Sequence, residues 1–259
     1  MMNKDFKQHL LNALKKNIRY DGRKNDEFRD VSIEFGVSHC AEGSAKVKVG
    51  NTEVIAGVKM ALETPYPDTP NKGNLMVNVE LLPMSNPEFE SGPPGIDAIE
   101  ISRVVDRGIR ESKAIDFEKL CVKKGEKVWS VMIDICSLND EGDLLDASAI
   151  AALAAIKNTV FPEVVDDVIN YNKKTKMKLP LVRLPIMVTV YKMDDCFIID
   201  PLSDEQKAYD ARLSISVTEE NTICAMQKGG DEPLSIDDIS KMIDLVLKIA
   251  PKIRKKIQG

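Results

Sequence analysis

The turn Asn139-Asp140-Glu141-Gly142-Asp143-Leu144-Leu145-Asp146 has the outline of an anion site but the wrong side chains for one. An apolar run, Val128 to Leu138, predicts a strand that leads into it, and a helix is predicted to begin near Asp143. A glycine turn opening a helix offers free backbone N–H groups and the positive end of the helix dipole, and both favour phosphate. Here the turn carries Asp140, Glu141, Asp143 and Asp146, with no Arg, Lys or Ser. Two like charges about 4 Å apart repel by roughly 4 kcal/mol at an effective dielectric near 20. The dipole returns only about 0.3–1 kcal/mol. Phosphate is therefore expected to be turned away.

Two further groups of residues could do chemistry. In the segment 97–116, Ile101, Val104, Val105, Gly108, Ile109 and Ile115 share one face of a helix, and Arg103, Arg107 and Arg110 form a stripe on the opposite face. Guanidiniums in such a row can follow a phosphate backbone. The plainer reading is a solvated face, with Asp106 and Arg110 as an i, i+4 pair. In the second half Asp200, Asp204 and Asp210 follow an expected strand ending at Ile199, with Asp194-Asp195 in the turn before it. Carboxylates at a strand end can hold a divalent metal or act in acid–base chemistry. Asp200-Pro201 and Ser203-Asp204 are equally ordinary turn residues.

The elements that would carry these residues read as follows. A helix is expected over 3–17, then strands at 30–37, 43–50, 53–62 and 74–83, where Val31-Ser32-Ile33-Glu34-Phe35 and Ala45-Lys46-Val47-Lys48-Val49 alternate apolar with polar. Pro-rich loops span Thr64 to Gly73 and Pro83 to Gly95. The helix 144–157 is apolar nearly all round and should be buried. Residues 158–184 are mixed, and the lysine-rich patch Asn172 to Lys178 marks an internal boundary. Strands at 185–191, 196–199, 211–218 and 222–228 follow, then a helix at 235–257. Strands first and helices after, in each half, predict an α+β class. The parts are expected at 1–29 (helix and lead-in), 30–165 and 185–259.

Composition bounds the function. A chain of 259 residues with net charge −5 can bury a large core, and its total charge argues against coating nucleic acid while leaving a local basic groove open. Its five cysteines are scattered and never form C-x-x-C, which fits a reducing cytoplasmic compartment and disfavours a zinc site or a disulfide framework. With only His9 and His39, histidine-based catalysis or metal binding is improbable. No apolar run reaches the length of a bilayer span.

Arg19-Tyr20-Asp21-Gly22-Arg23, then Arg29-Asp30, Glu34 and Gly36, Ala41-Glu42-Gly43-Ser44-Ala45 and Gly50-Asn51-Thr52 together resemble the opening of the RNase PH family of phosphorolytic 3′→5′ exoribonucleases. The likeness continues through Glu100-Ile101-Ser102-Arg103-Val104-Val105-Asp106-Arg107 and an RNase PH C-terminal type region from about residue 185. Within the family it is nearest the larger, non-catalytic ring subunits of the archaeal exosome, on the N-terminal helix, the loop Glu88 to Gly95, and Asp200-Pro201 continuing to Asp210-Ala211-Arg212-Leu213.

The resemblance implies an RNase PH-like fold of the ribosomal-protein-S5 domain 2 type, with two α/β layers and mixed sheets. It implies a hexameric ring, a trimer of heterodimers with a catalytic RNase PH-like partner, RNA-binding cap proteins and single-stranded RNA. Active members place Gly-Gly-Ser/Thr-Arg, or a Ser-rich equivalent, where this chain has Glu141, Gly142, Asp143 and Leu144, a degenerate phosphate loop. No catalytic residue, cofactor or metal is then expected here; inorganic phosphate, and any divalent metal, belong to the catalytic partner. Asp204 and Asp210 match the acidic pair of active members and are read as vestigial. Arg103 and Arg107, with Arg110 less firmly, are read as RNA contacts. Two alternatives stay open: an active phosphorolytic or metal-dependent exoribonuclease, and an S5-like RNA-binding or structural module.

Overall fold

The period-two alternation of the first hundred residues becomes one side of a mixed sheet. In a computed structural model, which describes residues 4–166 and 168–258, helix α1 (Lys4–Leu14) is followed by β1 (Val31–Phe35), β2 (Gly43–Val49), β3 (Thr52–Glu63) and β4 (Asn74–Glu80). Helix α2 (Ile96–Glu111), the short β5 (Cys121–Lys123) and the long β6 (Lys127–Asn139) come next. Helix α3 (Leu144–Asn158) then leads into β7 (Val160–Val165) and β8 (Val168–Lys178). The second half holds β9 (Ile186–Met193), β10 (Cys196–Ile199), α4 (Ser203–Gln206), β11 (Ala211–Val217), β12 (Ile223–Gly229) and α5 (Ile236–Gln258).

The first sheet runs β1-β2-β3-β6-β4, with β5 beside β6. Its pairs are antiparallel except β4 with β6, which is parallel, so the sheet is mixed as expected. The second sheet runs β10-β9-β11-β12 and is antiparallel throughout. In β3 buried residues alternate with half-exposed ones, because one face is packed and the other is open. Helix α3 supplies much of that packing: it meets β2 and β3 of the first sheet and β9 of the second, and every residue from Leu144 to Ile156 is buried. The nearly uniform apolarity of this helix follows from having protein on all sides. Helix α5 lies on β9 and β11, with Met242, Val246, Ile249, Ile253 and Ile257 inward.

Several expected boundaries move. The first helix ends at Leu14 rather than 17, and the expected first residue, Asn3, lies outside the described residues. Its Leu10, Leu11 and Leu14 pack with Tyr191, Met193, Ile198 and Ala208, so the N-terminal segment is docked on the second half. The helix expected over 97–116 ends at Glu111. Ser112 and Lys113 (φ 54°) close it with a turn in which the Ala114 N–H donates to Ile109 O. The segment that read as mixed is an antiparallel hairpin, β7 with β8. Its lysines and asparagines are exposed, so no apolar alternation announced it.

Candidate functional site

The Asp140–Asp146 turn is closed from within. Gly142 has φ +95° and Asp143 has φ +56°, and this pair of left-handed residues turns β6 into α3. The N–H groups of Asp140 to Asp143 are already used. Asp140 N–H donates to Ser85 O (3.0 Å), and Glu141 N–H to Thr52 Oγ1 (3.1 Å). Gly142 N–H donates to Asp140 Oδ1 (2.9 Å), and Asp143 N–H to Gln206 Oε1 (2.8 Å). The turn's carbonyls are engaged as well. Arg29 donates to Glu141 O and Gly142 O, each at 3.0 Å, and Thr52 Oγ1 donates to Gly142 O at 2.8 Å. Behind Gly142 the backbone of Pro201 to Ser203 fills the place that a Cβ would need.

This changes the physical reason that the sequence offered for expecting no phosphate here. The expectation rested on acidic side chains facing the anion. Instead Asp143 and Asp146 point into the protein and are 1% and 0% exposed. Asp143 does not cap its own helix; its carboxyl reaches Tyr191 Oη at 3.4 Å. Asp146 accepts from Thr189 N–H and Thr189 Oγ1, both at 2.8 Å, and Thr189 Oγ1 is itself 2.8 Å from Ser214 Oγ. Burial pushes Asp143 well above the usual carboxylate range, and the charges of Asp146 and Asp200 push the same way. Burial also raises Asp146, to about 7, although the two bonds from Thr189 oppose it. Only Glu141 and Asp140 are left with part of their charge toward solvent, and Leu144 is buried.

Beside the turn is an ion-pair cluster that ties the two halves together. Asp200, fully buried, takes Arg29 N–H (2.7 Å), Arg29 Nε (2.9 Å), Arg29 Nη2 (2.6 Å) and Arg23 Nη1 (2.9 Å). Burial alone would lower the Arg29 pKa, but the hydrogen bonds and charge of Asp200 outweigh it and raise it. Arg19, also buried, pairs its Nε with Glu205 Oε1 (3.0 Å) and its Nη2 with Glu205 Oε2, and donates to Ile199 O and Asp200 O. The arginines of the opening motif are thus structural clamps. Asp200, one of the candidate metal or acid–base carboxylates, is their anchor and has no oxygen to spare for a metal. Sequence reading had no signal for Gln206 or Glu205, and it met Thr52 only as part of the Gly50-Asn51-Thr52 motif, because the partner of each is far away in the chain.

The other acidic candidates do not converge. Asp204 is exposed at the start of α4. Asp210 pairs with Lys7 and accepts the Asp194 N–H at 2.7 Å, so it anchors α1 and the β9–β10 turn. Among the described residues no group of three His, Cys, Asp or Glu is placed to hold a metal ion.

The arginine stripe is on the surface of α2, as its spacing predicted. Its members differ. Arg110 is held by Asp106 (2.7 Å) and Leu75 O (3.1 Å), the i, i+4 arrangement of the plainer reading. Arg107 donates to Gln227 Oε1 of β12 at 2.9 Å, and Arg103 has no side-chain partner among the described residues. Arg103 and Arg107 are therefore the cations of the stripe without a carboxylate.

Comparison with known proteins agrees with this fold. The family model "3′ exoribonuclease family, domain 1" matches residues 27–162, and "3′ exoribonuclease family, domain 2" matches residues 183–249. The chain is 46% identical over 237 residues to exosome complex component Rrp42 of Methanothermobacter thermautotrophicus, covering 91% of this chain and 88% of that protein. It is 43% identical over 259 residues to the Methanopyrus kandleri protein of the same name, covering 98% and 96%. Among solved structures it is similar to a chain of the Archaeoglobus fulgidus exosome with RNA bound to the active site, at TM-score 0.91, 44% identity and 97% coverage of both chains. A chain of an archaeal exosome core gives TM-score 0.87 at 40% identity, covering 98% of this chain and 97% of that one. Rice Rrp46, at 18% identity and TM-score 0.71 over 93% of this chain and 99% of that one, shares the fold. With both domain models matched in order across two packed sheets, the chain belongs to the RNase PH, or 3′ exoribonuclease, family.

Proposed function

We propose that this chain is a non-catalytic ring subunit of an archaeal-type exosome, a 3′→5′ phosphorolytic RNA-degrading complex. The relatives named as exosome components and the likeness to archaeal exosome chains support membership of such a ring. One observation carries the non-catalytic reading. The N–H groups of Asp140, Glu141, Gly142 and Asp143 all donate to the chain's own acceptors, so the turn that would hold the attacking phosphate has none of them to offer. Without a positioned nucleophile, phosphorolysis loses the advantage that orientation supplies.

What remains is architecture and an RNA path. Arg103 and Arg107 are exposed and unmatched by acids, and they suit backbone tracking of a single strand without base readout. The partners that fit are a catalytic RNase PH-like subunit in a hexameric trimer of heterodimers, RNA-binding caps, and single-stranded RNA. Phosphate, and any divalent metal, act on the catalytic partner. The chain works in the cytoplasm, and among its described residues no helix is long and apolar enough to cross a membrane.

The decisive experiment compares the purified chain with the same chain co-purified with a phosphate-loop-bearing relative, each given RNA and inorganic phosphate. The expected result is nucleoside diphosphate from the complex and none from the chain alone. Robust release by the contaminant-free chain would sink the proposal.

A further inference from the structure

Asp143 and Asp146 sit inside the degenerate turn with too little positive charge around them for two carboxylates. The nearby guanidiniums are committed: Arg19 to Glu205, Arg23 to Asp21 and Asp200, Arg29 to Asp200, and Arg212 to Glu100. The first three of these arginines face Asp21, Asp200 and Glu205, and that set is balanced by itself. Asp143 and Asp146 come in addition. The groups that bond them are Tyr191 and Thr189 of β9 and Gln206 of α4; one contact further lie Ser214 of β11, Tyr209 and Arg212, whose Nη2 pairs with Glu100 while its buried Nη1 has no hydrogen-bond partner.

The hydrogen bonds show which acid is short of a partner. Both oxygens of Asp146 accept from Thr189. Asp143 Oδ1 faces Tyr191 Oη, while Asp143 Oδ2 is buried with no donor. The two carboxyls are within hydrogen-bonding reach of each other. A buried acceptor without a donor is costly, and a single proton between the acids repairs it.

We infer that Asp143 and Asp146 share one proton in the folded protein at neutral pH, with Asp143 the neutral donor and Asp146 the carboxylate, and that this proton latches the Asp140–Asp146 turn to the second sheet. Asp143 Oδ2–H donates to Asp146, Asp146 accepts from Thr189, and Thr189 contacts Ser214, so one chain of bonds runs from α3 through β9 to β11. The burial and neighbouring charges that raise both acids act in the same direction. When the pair gives up its proton to water, two adjacent buried charges remain and the latch is weakened. The turn is then closed by an internal acid that brings its own proton, which is a conformational device and independent of any partner subunit.

The folded pair keeps through neutral pH a proton that the unfolded acids release above their ordinary pKa near 4, so stability falls as pH rises from about 4 through neutral pH, until the pair itself lets the proton go. One such proton changes the unfolding constant by about tenfold per pH unit. Urea unfolding of the full chain across this range should show a slope about one proton smaller in Asp143→Asn, whose amide donates to Asp146 without titrating. Equal slopes for the two proteins overturn the inference. Infrared spectra of the wild-type chain near pH 7 provide a check that needs no variant. A neutral carboxylic-acid carbonyl band should be present there and vanish in Asp143→Asn, and a wild-type spectrum without that band also overturns it.

Discussion

Arg29 wraps Asp200 with its backbone N–H and both Nε and Nη2, at 2.6–2.9 Å, and spends its remaining donors on the carbonyls of Glu141 and Gly142. One guanidinium therefore joins the lead-in to β1, the end of β10 and the turn before α3. Removing it leaves Asp200, fully buried, with the Arg23 guanidinium as its one charged partner and the backbone N–H of residue 29. Arg29→Ala should destabilise the protein by about 3–5 kcal/mol, the usual cost of breaking a buried pair from one side. Arg29→Lys should rescue little, because an ammonium cannot reproduce the fork. Urea unfolding midpoints measure both, and a loss in Arg29→Ala below about 1 kcal/mol contradicts the clamp.

Binding of single-stranded RNA by the assembled complex should separate the three arginines of α2. Arg103→Ala and Arg107→Ala should each weaken binding and lower the slope of log affinity against log salt by about 0.7 per lost phosphate contact. Arg110→Ala should change the slope little, since Asp106 already pairs with it. An unchanged slope for Arg103→Ala and Arg107→Ala would return them to a solvated face.

Gly142 is constrained twice, by φ +95° and by backbone at Leu202 and Ser203 only 2.8 Å from where a Cβ would sit. Gly142→Ala should cost at least about 1–3 kcal/mol in strain alone and lower the melting temperature. Gly95 opens α2 with φ −72° and has nothing within 4 Å of its Cβ position. Gly95→Ala is the control and should melt close to wild type; equal melting of all three proteins would refute the tight packing behind the turn.

The acid side of the stability profile should involve Asp238. A hydrogen bond from Lys192 Nζ at 2.6 Å, with the Ser235 N–H and the Lys192 charge, holds its pKa at about 2. A depressed carboxylate contributes stability above its unfolded pKa near 4 and loses it as pH falls through about 2. Asp238→Asn should flatten that part of the acid denaturation curve, monitored by circular dichroism; an identical curve would show that the pair contributes nothing.

Much of the fold was legible because its signals are local. The apolar helix at 144–157, the alternating strands of the first sheet and the start of the α2 stripe are matters of period and propensity, and they lie where the periods put them. The β7–β8 hairpin was not legible, because the lysines and asparagines of β8 leave that strand no buried face to set a period. The Asp140–Asp146 turn was legible as an acidic turn opening a helix from its side-chain types, but the orientation of its acids was not. Acids placed beside an anion's position read as repulsion; the left-handed Asp143 sends its carboxyl inward instead.

The sequence by itself determined the family, the order of the elements, the exposed row of Arg103 and Arg107, and the absence of a basic phosphate loop, since each depends on residue type and short spacing. The tertiary structure decided which charges are spent. Asp200 and Arg29 lie 171 residues apart, and Arg19 and Glu205 lie 186 apart, and only folding brings them together. Asp200 is thereby a clamp and not a metal ligand, Asp210 is an anchor for α1, and Arg110 is paired while Arg103 is free of side-chain partners among the described residues. The reason is electrostatic: burial makes an unpaired charge costly, so long-range pairing fixes the role that composition leaves open.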